Sequence, residues 1–188
     1  MALPLIPYEE CRRLSISMYN PIPHTPRTDL AQAVGDVVRA EGPIHVDEVT
    51  RRIRTLWGLK RSGRLIKEAV ERGMKYAESV GQVDRRQGFL WPPGLETVQP
   101  RARSAREMLK IELIPEEEIA AAINKTLEVQ YASPPAAIPT TAARLLGFQQ
   151  TSEQIRKAIL RVVSKQIKDG VIHKRNDGRI DLGSHKQG

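Results

Sequence analysis

The sequence predicts a mainly α-helical protein with small β-hairpins, an α+β fold in which one small domain occurs twice. The first observation is an internal repeat at a distance of 89 residues, in which Leu56-Trp57-Gly58-Leu59 corresponds to Leu145-Leu146-Gly147-Phe148. The register continues without a gap to Gly81-Gln82-Val83 and Gly170-Val171-Ile172. The second observation is that apolar residues recur at helical spacing within both copies. A period of this length is too long for one solenoid unit and therefore predicts two domains.

The first copy is predicted over residues 28–95. Thr28 is expected to cap a first helix, which ends at Gly42-Pro43. A single extended residue, Ile44, precedes a second helix that ends at Gly58. This second helix is expected to carry three arginines largely outward, namely Arg51, Arg52 and Arg54.

The first copy closes with a long helix and a hairpin. Ser62 is expected to cap the third helix, which continues to about Ser79. A hairpin then turns at Gln87-Gly88, because glycine suits the positive φ of a tight turn. His45 is expected to act as a cap or turn residue, and Trp57 and Trp91 are expected to pack in the core.

The second copy, residues 115–183, repeats this order. A helix starts at Pro115, and the chain breaks at Ser133-Pro134-Pro135 before a short helix that ends at Gly147. Thr151 or Ser152 caps the long helix, and Asn176-Asp177-Gly178 is a strong signal for a hairpin turn. Helix, short strand, helix, turn, helix and hairpin is the order of the winged-helix variant of the helix-turn-helix. Two winged-helix domains in tandem are therefore predicted.

Three segments lie outside the two copies. Residues 1–27 are rich in proline and are expected to form an extended arm, with a possible strand at Cys11–Ser17. Residues 96–114 are expected to form a basic linker, with a possible strand at Ile111–Ile114. Residues 184–188 are expected to form a frayed tail.

The composition favours a polyanionic partner. Thirty Lys and Arg against 22 Asp and Glu give a formal net charge of +8, which suits nucleic acid or an anionic membrane, although solubility alone would also explain it. The single cysteine, Cys11, excludes an internal disulfide, and the longest apolar stretches are too short to span a membrane. We expect a cytoplasmic, nucleoid-associated protein with no membrane partner and no small-molecule substrate.

In the first copy, the candidate DNA contacts are basic residues on the second helix, the turn after it, the third helix and the wing. In a winged helix that reads DNA, the third helix enters the major groove. The candidates are Arg51, Arg52, Lys60, Arg61, Arg64, Lys67, Arg85 and Arg86. The alternative is a solvated helix face with intrahelical ion pairs such as Arg64–Glu68.

The second copy lacks this charge at the equivalent place. Gln149, Gln150, Glu153 and Gln154 stand where the first copy has Lys60, Arg61, Arg64 and Leu65. Its cations come later, on the long helix (Arg156, Lys157, Arg161, Lys165 and Lys168) and in the wing, where Lys174 and Arg175 are further candidate contacts. Whether this copy contacts DNA or docks onto protein stays open.

No catalytic residue, metal site or cofactor is expected. Gly58 and Gly63 have P-loop spacing, but Arg64-Leu65 follows where a P-loop needs Lys and then Ser or Thr. The four histidines are scattered, and no Cys/His pair has the spacing of metal ligands. Aromatic residues make up only 4% of the chain, so a series of stacking side chains for single strands is not expected either.

Three runs of residues carry a resemblance to a known family. They are Glu41-Gly42-Pro43-Ile44-His45, the segment Gly58-Leu59-Lys60-Arg61-Ser62-Gly63-Arg64, and Phe89-Leu90-Trp91-Pro92. They resemble a domain of uncharacterised function near the C-terminus of large bacterial superfamily I DNA helicase-related proteins. The resemblance implies a helicase ATPase core as a partner in the same parent protein, and it transfers no catalytic residue to this chain.

These observations lead to one expectation with two alternatives. We expect an accessory module that positions DNA for a helicase-like motor. The first alternative is a protein-docking module of the same assembly. The second is a small transcription regulator, which would need a symmetric dimer, and the sequence offers no obvious dimerisation helix for it.

Overall fold

The structure is a computed structural model, and it describes residues 5–104 and 110–183. It combines α-helices with small sheets, as expected for an α+β protein. The helices are α1 (Arg27–Glu41), α2 (Val46–Leu56), α3 (Arg64–Ser79), α4 (Glu116–Gln130), α5 (Ile138–Leu145) and α6 (Glu153–Lys168). The strands are β1 (Ile6–Pro7), β2 (Ile44–His45), β3 (Asp84–Arg86), β4 (Phe89–Trp91), β5 (Arg101–Ala102), β6 (His173–Lys174) and β7 (Ile180–Asp181). Within the described ranges, no helix has the length and apolar character needed to cross a bilayer.

The chain divides into two compact units. One consists of Glu9–Glu96 and is called the inserted unit here. The other combines Met1–Tyr8 with Thr97–Gly188 and is called the split unit. The described parts of the segments expected as arm and linker, residues 5–27, 96–104 and 110–114, therefore contribute to compact units. The expected tail 184–188 lies outside the described residues.

The core of the inserted unit lies where α1 packs on α3. Leu30 and Val34 of α1 are fully buried, as is Val70 of α3, and Met74 is almost so. The helices approach closely at Gly73, where an added Cβ would lie 2.7 Å from the Cβ of Leu30. Glycine at this position therefore sets the separation of the two helices.

A three-stranded sheet in the order β2-β4-β3 covers one end of this core. Leu90 pairs with Ile44 on one side and with Arg85 on the other. The hairpin turns at Gln87 and Gly88, which have φ values of 48° and 84°. The predicted hairpin is therefore confirmed. The expectation that Trp91 packs in the core is also confirmed, because its side chain is almost completely buried.

The segment before α1 is held against the core of the inserted unit. The backbone amide of Cys11 donates to Glu41 Oε1 at 2.9 Å, and the amide of Ser15 donates to Asp36 Oδ2 at 2.7 Å. Carboxylates of α1 thus take the place of a neighbouring strand, and the strand expected at Cys11–Ser17 does not form. Ile22, in a short 3-10 helix, is fully buried in the same core.

The split unit is built from α4, α5 and α6 around a second core. Its fully buried residues include Ile123, Ile138 and Ile159, one from each helix. The segment Ile111–Leu113 forms a 3-10 helix, so the strand expected at Ile111–Ile114 is wrong. The parallel pair β1–β5 joins Ile6 to Arg101 and completes this unit.

The internal repeat is visible in the backbone of both units. Gly58 and its counterpart Gly147 follow the second helix of each copy with φ values of 73° and 98°, which side chains disfavour. Ile44 pairs with β4, and Ser133, 89 residues later in the sequence, forms an antiparallel bridge to Ile180 of β7. The two copies therefore share their order of elements and the pairing between the segment after the first helix and the hairpin.

Two of the predicted N-caps are wrong, as the first residues of the helices show. α1 begins at Arg27 after Pro26, so Thr28 lies inside the helix, and α3 follows Gly63 without a side-chain cap, so Ser62 is not its N-cap. Ser152 does cap α6, accepting a hydrogen bond from the amide of Ile155. His45 caps α2 through Nδ1, which accepts from the amide of Asp47 at 3.2 Å, as expected for a cap residue.

Candidate nucleic-acid interface

The turn between α2 and α3 has a backbone fixed by hydrogen bonds. The amide of Leu59 donates to the carbonyl of Arg54 at 3.1 Å, and Arg54 Nη1 donates to the carbonyl of Lys60 at 2.8 Å. The side chains of Lys60 and Arg61 are exposed to solvent. The fold thus presents two adjacent cations on an ordered turn.

The first turns of α3 add two more cations to the same region. Lys67 is exposed, and the side chain of Arg64 is 82% exposed with its Nη1 3.0 Å from Glu68 Oε1. The intrahelical Arg64–Glu68 pair expected as an alternative to DNA contact is therefore present. Among the residues that the structure describes, Lys60, Arg61 and Lys67 form no ion pair. We call Lys60, Arg61, Arg64 and Lys67 the basic turn.

A groove of about 370 Å³ lies between α2 and the start of α3. Its walls carry charges of both signs, with Arg51 and Lys67 facing Asp47 and Glu71. Arg51 lies on the wall of the groove as a partly buried residue, and its Nη2 donates to Glu48 Oε2 at 2.6 Å. Arg51 is therefore held by a neighbour on its own helix.

Arg52 does not face outward, which corrects the expectation from the sequence. Its side chain is 7% exposed, and its Nε donates to Glu41 Oε1 at 2.6 Å. A second carboxylate, that of Glu10, lies 2.8 Å from its Nη2. Burial lowers the pKa of Arg52, but the hydrogen bonds to Glu41 and Glu10 outweigh burial and raise it above its usual value. Arg52 therefore acts in the core of the inserted unit and is out of reach of a ligand at the surface.

The two candidate arginines on the β3–β4 hairpin pack against the protein. Arg85 donates two hydrogen bonds to Glu71 of α3, at 2.8 and 3.2 Å, and these bonds raise its pKa. The guanidinium of Arg86 lies 4.4 Å from the ring centroid of Trp91 and donates to the carbonyl of Leu95 at 2.7 Å. Both side chains are partly exposed, and both are positioned by these contacts.

In the split unit the exposed cations follow one face of α6. Lys157, Arg161, Lys165 and Lys168 are exposed and recur at spacings of three or four residues, which places them on one side of a helix. Lys165 lies 3.0 Å from Glu116, and its hydrogen bond to this carboxylate raises its pKa. We call these four residues the α6 stripe.

The β6–β7 hairpin of the split unit also exposes its two candidates. Lys174 lies on β6 with its side chain in solvent. Arg175 is exposed too, with Nε 3.6 Å from Asp181 Oδ2. Both candidates are accessible, but the carboxylate of Asp181 offsets the positive charge of Arg175.

Tyr19 is a surface residue that the sequence patterns did not indicate. Its side chain is 93% exposed, and the next residue, Asn20, accepts a hydrogen bond from Trp57 Nε1 at 3.0 Å. Trp57 is the residue that ends α2, so the fold brings the loop around Tyr19 beside the α2–α3 turn. A contact across 37 residues of sequence leaves no local signal, and no pattern in the sequence could have revealed it.

The described residues include no cluster of metal ligands, and their cysteine is buried. Across residues 5–104 and 110–183, no group of three or more His, Cys, Asp or Glu side chains is arranged to hold a metal ion. The lone cysteine, Cys11, is buried, and burial raises the pKa of its thiol.

Comparison with known proteins gives one match, and it covers the part of the chain that carries the basic turn. Residues 22–68 match a family described as a protein of unknown function, DUF3320. This segment, about a quarter of the chain, runs from the buried Ile22 through α1 and α2 to Glu68 in α3. Comparisons with curated proteins and with solved structures give no match.

Proposed function

We propose that this chain is a DNA-binding module of two winged-helix domains, in which the basic turn of the inserted unit contacts the DNA backbone. The observation that carries the proposal is that Lys60, Arg61 and Lys67 are exposed on an ordered backbone and form no ion pair among the described residues. When such cations contact phosphates, counterions are released from the DNA. This release favours binding and makes the affinity sensitive to salt. Contacts of this kind position a protein on DNA without reading its sequence.

The order of elements supports a winged-helix arrangement for the inserted unit. α2, the turn and α3 correspond to a helix-turn-helix, and β3 with β4 corresponds to the wing. The bidentate pair between Arg85 and Glu71 ties the wing to the third helix. A wing held in this way is positioned beside the basic turn before DNA binds, which limits the entropy lost on binding.

The resemblance to helicase-related proteins supports a role for the module within a larger assembly. In this proposal the ATPase core belongs to the same parent protein, and the module holds DNA for it. The match to a family of unknown function over residues 22–68 includes the basic turn, so a role found for these residues would extend to that family.

The experiment is a titration of a labelled duplex, measured by fluorescence anisotropy at several salt concentrations. The Arg61→Gln/Lys67→Gln variant should bind more weakly, and its slope of log affinity against log salt should fall by about 2, since each phosphate contact contributes about 0.9. The control is Arg12→Gln/Arg13→Gln, which removes the same charge from two exposed arginines far from the turn in sequence. Equal slopes for both variants, or no binding at low salt, would contradict the proposal.

A protein-docking role is a second candidate, favoured by two exposed leucines in the same region. Leu59 is 39% exposed and Leu65 is 58% exposed, and both neighbour the basic turn in sequence. Exposed apolar side chains that lie together are typical of protein interfaces. If the surface docks onto a helicase core, Leu59→Ser/Leu65→Ser should weaken that complex in sedimentation experiments and leave the DNA affinity unchanged.

A further inference from the structure

We propose that Tyr19 stacks on an unpaired nucleobase, so that the module binds DNA at a duplex end or junction more tightly than along a continuous duplex. This inference rests on the proposed function and adds the form of DNA that is recognised. It starts from the exposure of Tyr19, which leaves almost the whole ring in solvent. An exposed ring of this kind offers a flat π-face on which a nucleobase can stack.

The loop that carries Tyr19 is anchored at the residue that follows it. The carbonyl of Asn20 accepts from Trp57 Nε1 at 3.0 Å and from Thr25 Oγ1 at 3.5 Å. Two residues further along, Ile22 is fully buried in the core. The backbone next to Tyr19 is therefore fixed, and stacking on its ring would cost little loop entropy.

The same anchor brings Tyr19 close to cations. Lys60 and Arg61 follow Trp57 by three and four residues, and successive Cα atoms are about 3.8 Å apart, so the Cα of Lys60 lies within about 11 Å of that of Trp57. Long lysine and arginine side chains extend this reach further. The loop that carries Tyr19 therefore lies beside the segment that carries the basic turn, and we expect one DNA strand to reach both.

An aromatic ring beside cations fits a nucleic-acid strand with an accessible base. Proteins that bind single strands combine a positive surface for the backbone with aromatic rings for the bases. Bases inside a duplex are already stacked on one another, so a surface ring can reach only a terminal or unpaired base. The cations favour a nucleic-acid strand over a protein partner that contacts Tyr19 through an apolar side chain. Positive charge would contribute nothing to binding such a side chain.

The experiment compares a blunt duplex with the same duplex carrying a short single-stranded overhang. Tyr19→Ala should weaken binding of the overhang substrate by roughly 5- to 150-fold, the range that removal of one stacking aromatic gives, and should leave the blunt duplex almost unchanged. Tyr19→Phe keeps the ring and should bind like the unsubstituted protein. The matched control is Tyr131→Ala, which removes a tyrosine that is 87% exposed in the split unit.

The outcomes separate this inference from the proposed function. Duplex binding that depends on the basic turn, together with no effect of Tyr19→Ala on the overhang substrate, overturns the stacking and leaves the proposed function in place. No binding of any DNA overturns both. Loss of a protein partner with unchanged overhang affinity would also overturn the stacking, because it assigns the ring to a protein surface.

Discussion

Arg52 donates two hydrogen bonds to Glu41, from Nε to Oε1 at 2.6 Å and from Nη2 to Oε2 at 3.1 Å, and both side chains are buried. Glu41 ends α1 and Arg52 lies in α2, so the pair joins two helices of the inserted unit. The amide of Cys11 donates to the same carboxylate and adds the N-terminal segment to the network. One of the two DNA candidates on α2 is thus part of the structural core.

Arg52→Met should destabilise the inserted unit by about 3–5 kcal/mol, because it leaves Glu41 as a buried charge without its main partner. Urea unfolding followed by circular dichroism would measure this loss. Arg61→Met is the matched control, since Arg61 is exposed, and it should change stability by less than about 0.5 kcal/mol. Similar stability of the two variants would show that the buried pair is dispensable.

The contact between α1 and α3 predicts opposite effects for two helical glycines. Gly73→Ala should destabilise the protein by about 1–3 kcal/mol, because the new Cβ would lie 2.7 Å from the Cβ of Leu30. Gly35→Ala should stabilise it by about 0.5–1 kcal/mol, since its new Cβ meets only Gln82 Oε1, at 3.8 Å. Thermal unfolding of both variants tests the pair, and a stabilising Gly73→Ala would refute the close packing.

Glu118 of α4 predicts a loss of stability in acid. Burial raises its pKa, but the hydrogen bonds and charges of Arg103 and Arg101 outweigh burial, so its pKa in the folded chain lies below the ordinary 4.5. The unfolded chain therefore binds the proton first, and the stability that this group contributes at neutral pH is lost as the pH falls from about 4.5 towards the folded value.

Glu118→Gln tests this dependence. It should destabilise the split unit by about 3–5 kcal/mol at neutral pH, because it leaves two arginines beside a neutral group. The difference from the unsubstituted protein should shrink as the pH falls below 4.5, the ordinary value for this carboxyl. Urea unfolding at several pH values measures this difference, and a constant difference across the range would contradict the assignment.

The α6 stripe predicts a second region of phosphate contact. Arg161 and Lys168 are exposed, and among the residues with described coordinates neither forms an ion pair. Arg161→Gln/Lys168→Gln should lower the salt slope of duplex binding by about 2. An unchanged slope, equal to that of Arg12→Gln/Arg13→Gln, would leave the split unit with a protein-docking role.

Features that depend on near neighbours in the chain could be predicted from the sequence. Three such features involve residues within a few positions of one another. They are the end of α2 two residues before Gly58, the hairpin at Gln87-Gly88, and the caps formed by His45 and Ser152. The Arg64–Glu68 pair is of the same kind, since residues four apart meet on a helix surface. For each of these features, both interacting residues lie close together in the sequence.

Features that depend on distant partners could not be predicted. Arg52 has the polar character of an outward residue, and only the position of Glu41 eleven residues earlier shows why it is buried. The strand expected at Cys11–Ser17 does not form, because carboxylates of α1 accept hydrogen bonds from its amides. The placement of Tyr19 beside the basic turn depends on Trp57 in the same way. The candidate charges could be read from the sequence, but their accessibility could not.

The pairing of β1 with β5 has a consequence for synthesis on the ribosome. Ile6 pairs with Arg101, so the first strand of the split unit is made well before its partner. At translation rates of about 5–20 residues per second, this strand waits roughly 5–20 s, while the whole of Glu9–Glu96 emerges. The inserted unit can therefore finish folding first. Of the two units, the one whose first strand leaves the ribosome earlier is then the one that is completed later.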